Sequence, residues 1–181
     1  MRPAAVALML VGFGLVVAVH VVTGLDPISR RLSEYVHEEG GFLMVAAFIA
    51  IGLGMIGLGL AIRTATGRLA PWVATLVGLA GVGMIVSGLY PTDPGPATIS
   101  GLLHSRASGG ATLALIGASI LWSFRTPGRD RLLMGLSVAA ALLGVVSVAL
   151  HETGVSGLGQ RSLWVVLLAW LLLAAVRLER V

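Results

Sequence analysis

Long apolar runs separated by short polar turns dominate the chain. Six such runs cover about residues 3–24, 41–62, 70–90, 98–124, 132–150 and 162–178. A helix needs about 20 mostly apolar residues to cross the hydrocarbon core of a bilayer, and most of the runs approach that length. The pattern predicts an all-α polytopic membrane protein, with six transmembrane helices in a single domain over residues 1–181.

The first polar turn carries a helical pattern of its own. Asp26 and Pro27 form a favourable helix start, with Asp as the N-cap and Pro at the first helical position. Ile28, Leu32 and Tyr35 then fall on one face, and charged residues take the other. We therefore expect residues 27–37 to form a short amphipathic helix on the outer membrane surface.

The composition also indicates lipid as the solvent. Hydrophobic residues make up 57% of the chain and charged residues 11%, whereas a soluble domain is usually about a quarter charged. All twelve basic residues are arginine, which is typical of a GC-rich bacterial genome and excludes a lysine Schiff base to retinal or pyridoxal phosphate. The chain has no cysteine, so thiol chemistry is excluded. The net charge of +4 is spread over several turns, a pattern that does not predict nucleic-acid binding.

The arginines predict the orientation of the chain in the membrane. When successive turns are assigned to alternate faces, eight arginines fall on one face and four on the other. Cytoplasmic turns are enriched in basic residues, so both termini are expected in the cytoplasm, in a cell inner or plasma membrane. The predicted cytoplasmic set is Arg2, Arg63, Arg68, Arg125, Arg129, Arg131, Arg177 and Arg180. All four histidines and six of the eight acids then lie on the outer side.

Polar side chains from four predicted helices end at a similar depth on that outer side. His20 lies about one turn inside the first helix, His104 lies about one turn into the fourth, His151 ends the fifth, and Asp93 follows the third. Ionisable groups within a membrane helix are costly and usually face the bundle interior. Histidine with a carboxylate can move protons near neutral pH. We expect His104 and Asp93 to act as a catalytic pair, with His20 and His151 in support.

Further polar residues extend this candidate site. Arg161, Arg106 and Gln160 are candidates for binding a substrate head group, because a guanidinium binds phosphate or carboxylate through two hydrogen bonds. The histidines His20, His104 and His151 are also potential zinc ligands, but no tight His-x-x-x-His spacing occurs and no metal site is predicted. The sequence identifies no cofactor.

Three short motifs carry a resemblance to a known family. They are Leu32-Ser33-Glu34-Tyr35, Tyr90-Pro91-Thr92-Asp93 followed by Gly101-Leu102-Leu103-His104, and Gly157-Leu158-Gly159-Gln160-Arg161. On these motifs the chain resembles, over most of its length, the domain of unknown function 998 family of bacterial and archaeal integral membrane proteins. The resemblance implies a six-helix membrane protein and no particular reaction. Members often carry a second histidine at the position of Ser100, which argues here against a two-histidine mechanism.

Three classes of function remain open. The first is a membrane enzyme that acts on a lipid or isoprenoid by His/carboxylate acid–base chemistry in an outer-facing cavity, with membrane lipids as its partners. The second is an accessory or scaffolding subunit in which the polar cluster only caps helices. The third is a small transporter, although the cytoplasmic halves of the helices lack ionisable residues. The enzyme is favoured because polar groups from four helices converge at one depth. Substrate and oligomeric state stay open.

Overall fold

The computed structural model describes residues 2–65, 67–125 and 130–178 and confirms the all-α class. Within these ranges, six helices are long and apolar enough to cross a membrane. They are α1 (Arg2–Thr23), α2 (Phe42–Arg63), α3 (Ala70–Leu89), α4 (Ile99–Arg125), α5 (Arg131–Ala149) and α6 (Ser156–Arg177). A short 3₁₀-helix, Leu32–His37, lies between α1 and α2.

The two ends of the helix bundle differ in chemistry. At the histidine end, α1, α3 and α5 finish and α2, α4 and α6 begin, and this end carries His20, His104 and His151. At the opposite, arginine end, an ion pair joins the Nε of Arg177 to the Oδ2 of Asp130 over 2.6 Å. The predicted cytoplasmic residues Arg129 and Arg180 lie outside the described residues.

Helix α6 begins earlier than the apolar pattern indicates. The first five helices start and end within one residue of the runs read from the sequence, whereas α6 starts at Ser156 rather than at 162. Gly157 and Gly159 are poor helix formers and two polar residues follow them, so hydropathy alone misses this first turn and a half. As a consequence, Arg161 lies inside the helix and does not begin it.

The predicted amphipathic helix over residues 27–37 is not continuous. We call residues 26–37 the strap. Its first part is a turn, in which the Asp26 carboxylate accepts hydrogen bonds from the backbone N–H groups of Ile28 (3.0 Å) and Ser29 (3.2 Å). The 3₁₀-helix follows, with Leu32 and Tyr35 buried as expected, while Ile28 is 49% exposed.

The N-terminal part of α6 explains why the strap is not one helix. In a continuous α-helix the carbonyl of Ile28 would accept the N–H of Leu32. Here that carbonyl accepts the backbone N–H of Leu158 (2.9 Å), and the N–H of Leu32 donates to the Oε1 of Gln160 (2.7 Å). Both partners of the expected helical bond are therefore used by α6, which ties the strap to the bundle.

Helices α1 to α4 pack closely, whereas α4 and α5 separate at the histidine end. Near the arginine end, the hydroxyl of Ser137 on α5 donates to the Ser119 carbonyl on α4 (2.8 Å), and Ser123 donates to Ser137 (3.1 Å). Towards the histidine end, both helices instead line an open space. That space holds most of the polar residues singled out above.

Candidate functional site

A cavity of about 950 Å³ lies between α4, α5 and α6 and reaches the histidine end. Along α4 it runs from Gly101 to Ile116, a distance of about 22 Å at 1.5 Å per residue. Its polar wall lies near the helix ends and includes Arg31, Asp93, His104, His151 and Gln160. Its deeper wall has no ionisable residue and is mainly apolar, with Leu113, Ile116, Leu163 and Trp164 beside the hydroxyl groups of Ser108 and Thr112. The cavity is therefore amphipathic along its length.

His104 is the buried titratable residue on the α4 wall, with 5% of its surface exposed. Its Nδ1 lies 2.9 Å from the carbonyl oxygens of both Ser87 and Tyr90. The Ser87 carbonyl would normally accept the N–H of residue 91, but Pro91 has none, and His104 supplies the missing donor. Carbonyls only accept, so Nδ1 carries the proton and Nε2 of the neutral ring keeps a free lone pair. No hydrogen bond to Nε2 is formed within the described part of the chain.

Asp93 does not pair with His104, which corrects the expected catalytic pair. Its carboxylate accepts the backbone N–H (2.8 Å) and the hydroxyl (2.6 Å) of Thr98, and that hydroxyl accepts the N–H of Gly101 (3.2 Å). Asp93 and Thr98 thus cap the start of α4. The side-chain and backbone hydrogen bonds from Thr98 hold the pKa of Asp93 below its usual value. The ionised carboxylate still lines the cavity.

His20 and Arg161 contact each other outside the cavity lining. The Nε of Arg161 donates to the Nε2 of His20 (2.9 Å), its Nη1 donates to the Arg30 carbonyl (2.6 Å), and its guanidinium carbon lies 5.3 Å from the centre of the Tyr35 ring. His20 accepts at Nε2 and its Nδ1 lies 2.6 Å from the Val16 carbonyl, so the ring is neutral with its proton on Nδ1. Neither residue lies where a bound head group in the cavity would contact it.

The other predicted head-group residues also differ from expectation. Gln160 does line the cavity, but its Oε1 is already used by the N–H of Leu32. This bond fixes the amide orientation and leaves the Nε2 hydrogens as donors. Arg106 is exposed and is not a lining residue.

Arg31 is a cavity residue that the sequence analysis missed. Its Nη1 donates to the Nε2 of His151 (2.7 Å) and its Nε to the Oε1 of Glu34 (3.1 Å). The expected amphipathic helix placed Arg31 on a solvated face; the turn found there directs it to the cavity wall instead. Although burial acts to raise the pKa of Glu34, hydrogen bonds from Arg31 and Arg30 lower it overall.

His151 lies two residues beyond the end of α5 and acts as an acceptor. An arginine only donates, so the 2.7 Å bond from Arg31 requires an unprotonated Nε2. The same nitrogen lies 3.6 Å from a Glu152 carboxylate oxygen, a contact that is an ion pair only when the ring is protonated. The shorter bond to Arg31 favours the neutral ring.

The three histidines do not form a metal site. His20 bonds to Arg161, His104 to carbonyls of α3 and His151 to Arg31, so each serves a different contact. In the described ranges no group of three or more His, Asp or Glu side chains is placed to hold a metal ion. The zinc alternative based on His20, His104 and His151 therefore lacks its geometry.

The motifs that carry the family resemblance contact one another in pairs. The strap motif at Leu32 docks on the Gln160-Arg161 motif of α6, and the Pro91-to-Asp93 turn docks on the start of α4. No curated protein and no solved structure matches the chain. The family model described as "Protein of unknown function (DUF998)" matches residues 3–177, nearly the whole length. The chain is thus a membrane protein that belongs to the DUF998 family.

Proposed function

We propose that the protein binds one lipid or isoprenoid molecule in the cavity and performs acid–base chemistry on its head group. The observation that carries this proposal is the distribution of charge along the cavity wall, which carries ionisable side chains at the histidine end and is mainly apolar deeper in the bundle. An amphiphile matches this gradient with its head group at the helix ends and its chain along α4. A depth of about 22 Å along α4 exceeds half of a hydrocarbon core about 30 Å thick.

His104 is the proposed proton-transfer residue. In its neutral form Nε2 has a lone pair that can take a proton from a substrate hydroxyl or ammonium group. The two carbonyls that accept from Nδ1 hold the ring in one tautomer and stabilise the imidazolium that forms. In this proposal Asp93 contributes a fixed negative charge to the wall, while His151 positions Arg31 and His20 positions Arg161.

Two neighbouring glycines of α4 provide a matched test. A Cβ at Gly109 or at Gly110 would meet nothing within 4 Å, but only Gly109 lines the cavity. We expect Gly109→Phe to lower the occupancy of a co-purified lipid about tenfold, because overfilling a packed site costs about 1–3 kcal/mol. Gly110→Phe should retain the lipid. Native mass spectrometry of both variants, purified from the membrane in mild detergent, measures the occupancy.

The same preparations separate binding from chemistry. His104→Gln keeps a donor for the α3 carbonyls but lacks the ring, so it should co-purify with lipid whose head group differs in mass from the species on the wild type. An identical lipid on both proteins would contradict the catalytic role of His104. An empty wild-type cavity, or equal lipid loss from both glycine variants, would contradict the binding proposal.

A scaffolding role is the second candidate, and a specific observation favours it. Three of the polar residues form hydrogen bonds that join elements of the bundle or cap a helix end: His20, Asp93 and Gln160. In a scaffold these residues would have a structural role only, and the cavity would bind no particular ligand. The glycine test distinguishes the two candidates, because only a ligand site makes Gly109 differ from Gly110.

The proposed orientation places the histidine end on the outer side of a cell inner or plasma membrane, with both termini in the cytoplasm. The support is the arginine distribution, since basic turns stay cytoplasmic. A reporter fused after Arg63 should be active on the cytoplasmic side, and one fused after Asp93 on the outer side. The reverse result would place the cavity entrance in the cytoplasm.

A further inference from the structure

We infer that the head group bound in the cavity is zwitterionic, with a phosphate held near Arg31 and a primary ammonium held near Asp93. This inference rests on the proposed function and names the ligand class of the same site. It replaces the anionic head group expected from Arg106 and Arg161, because neither of those residues lines the cavity.

The charges of the wall are balanced. Its ionisable residues are Arg31, Asp93, His104 and His151. The bond from Arg31 leaves His151 neutral, and in the proposed function His104 is neutral until it takes a proton. Glu34 pairs with both Arg31 and Arg30, so this group keeps one positive charge, and the Asp93 carboxylate supplies one negative charge. A ligand with a net charge would leave one of these two charges uncompensated. A dipolar head group satisfies both.

The two charges are also well separated. Arg31 directly precedes the six-residue 3₁₀-helix of the strap, and His37, its last residue, bonds through Nε2 to the carbonyl of Thr92 (2.6 Å), next to Asp93. A rise of about 2 Å per residue places these two attachments about 12 Å apart. The two side chains also have different partners: Arg31 bonds to Glu34 and His151, and Asp93 bonds to Thr98.

Hydrogen-bonding groups divide in the same way as the charges. Beside Arg31, the Oε1 of Gln160 already accepts the N–H of Leu32, so the side chain offers only its N–H donors, which suit phosphate oxygens. On the Asp93 side, Nε2 of His104 offers a lone pair, and the hydroxyl of Ser108 donates to the Ser105 carbonyl, which leaves its oxygen as an acceptor. These acceptors suit an ammonium group that carries hydrogens.

Trp164 on the cavity wall allows a direct measurement. The protein is reconstituted in vesicles containing acyl-brominated phosphatidylethanolamine, phosphatidylcholine or phosphatidylglycerol as quencher. The quenching lost on Trp164→Phe reports lipid in the cavity. We expect half-maximal cavity quenching at an about tenfold lower mole fraction of phosphatidylethanolamine than of phosphatidylglycerol, the size of one charge-assisted hydrogen bond. Phosphatidylcholine, which has no ammonium hydrogen, should fall between them.

Two variants assign the ends of the head group. Asp93→Asn keeps one oxygen for the N–H of Thr98, and its amide N–H can donate to the Thr98 hydroxyl oxygen in place of the second bond. This variant should abolish the preference for phosphatidylethanolamine over phosphatidylglycerol. Arg31→Gln should weaken both lipids. Glu39→Gln, an exposed acid that does not line the cavity, is the control and should change neither.

The outcomes separate this inference from the proposed function. Cavity quenching that is equal for the two lipids, or stronger for phosphatidylglycerol, would overturn the zwitterionic head group and leave the lipid site standing. The absence of any quenching specific to Trp164 would overturn both. A preference that survives in both Asp93→Asn and Arg31→Gln would overturn the assignment of these residues.

Discussion

Replacing Gly81 by alanine should destabilise the protein by about 3 kcal/mol. Gly81 of α3 crosses Gly52 of α2 so closely that an added Cβ would lie 2.5 Å from the Gly52 carbonyl oxygen and 3.0 Å from the backbone nitrogen of Ile56. Backbone atoms cannot rotate away, so the two helices would have to separate, and overpacking of this kind costs about 1–3 kcal/mol. Membrane helices depend on such close approach, because lipid provides no hydrophobic drive for them to associate. Thermal unfolding in detergent, followed by tryptophan fluorescence, measures the loss.

Gly78→Ala, on the same helix, is the matched control. A Cβ at Gly78 would meet nothing within 4 Å. Alanine favours a helix over glycine by about 0.5–1 kcal/mol, so this variant should unfold at an equal or higher temperature. If Gly81→Ala were as stable as Gly78→Ala, the close crossing of α2 and α3 would be refuted.

Arg161→Gln should release the strap and cost about 3 kcal/mol of stability. The wild-type guanidinium bonds to His20 and to the Arg30 carbonyl, and hydrogen bonds to charged groups contribute about 1.5–3 kcal/mol each. Glutamine is too short to reach both, and it would leave Nε2 of His20 without a donor. We expect a lower unfolding temperature and faster amide hydrogen exchange over residues 27–37, with α2 and α3 protected as before.

Arg106→Gln removes the same charge from an exposed position of α4 and is the control for Arg161→Gln. Exposed substitutions of this kind usually change stability by less than about 0.5 kcal/mol. Unchanged exchange in the strap of Arg161→Gln would show that the remaining bonds from α6, made by Ser156, Leu158 and Gln160, hold it in place. The position of the Arg31 backbone would then not depend on Arg161.

Arg161 and Gln160 together form a clamp on the backbone around Arg31, and this clamp connects the family motifs to the cavity. Arg161 binds the carbonyl before Arg31 and Gln160 binds the N–H after it, so two successive residues of α6 fix the backbone on both sides of one side chain. The side chain itself reaches His151 on the cavity wall. Residues that sequence analysis selected for direct contact with a substrate thus position a residue that it did not select.

The membrane class, five of the six helix spans and the end of the bundle at which the histidines lie were determined by the sequence alone. These properties are local: a run of apolar residues of sufficient length forms a helix in lipid whatever its neighbours are, because its backbone must bond internally. The bond between Asp93 and the start of α4 spans only five residues, but the sequence analysis had assigned Asp93 to His104 instead of Thr98.

The partners of the polar side chains were decided only by the tertiary structure. The helices are apolar all round, so hydrophobic periodicity does not define which face of α4 or α6 turns inward. The sequence therefore could not decide whether His104 or Arg161 lines the cavity. The strap shows the same limit, because its sequence favours a helix but α6 supplies better partners for the backbone of Ile28 and Leu32. Hydrogen bonds between residues more than a hundred positions apart leave no periodic signal in the chain, and here they hold the strap and Arg31 at the polar end of the cavity.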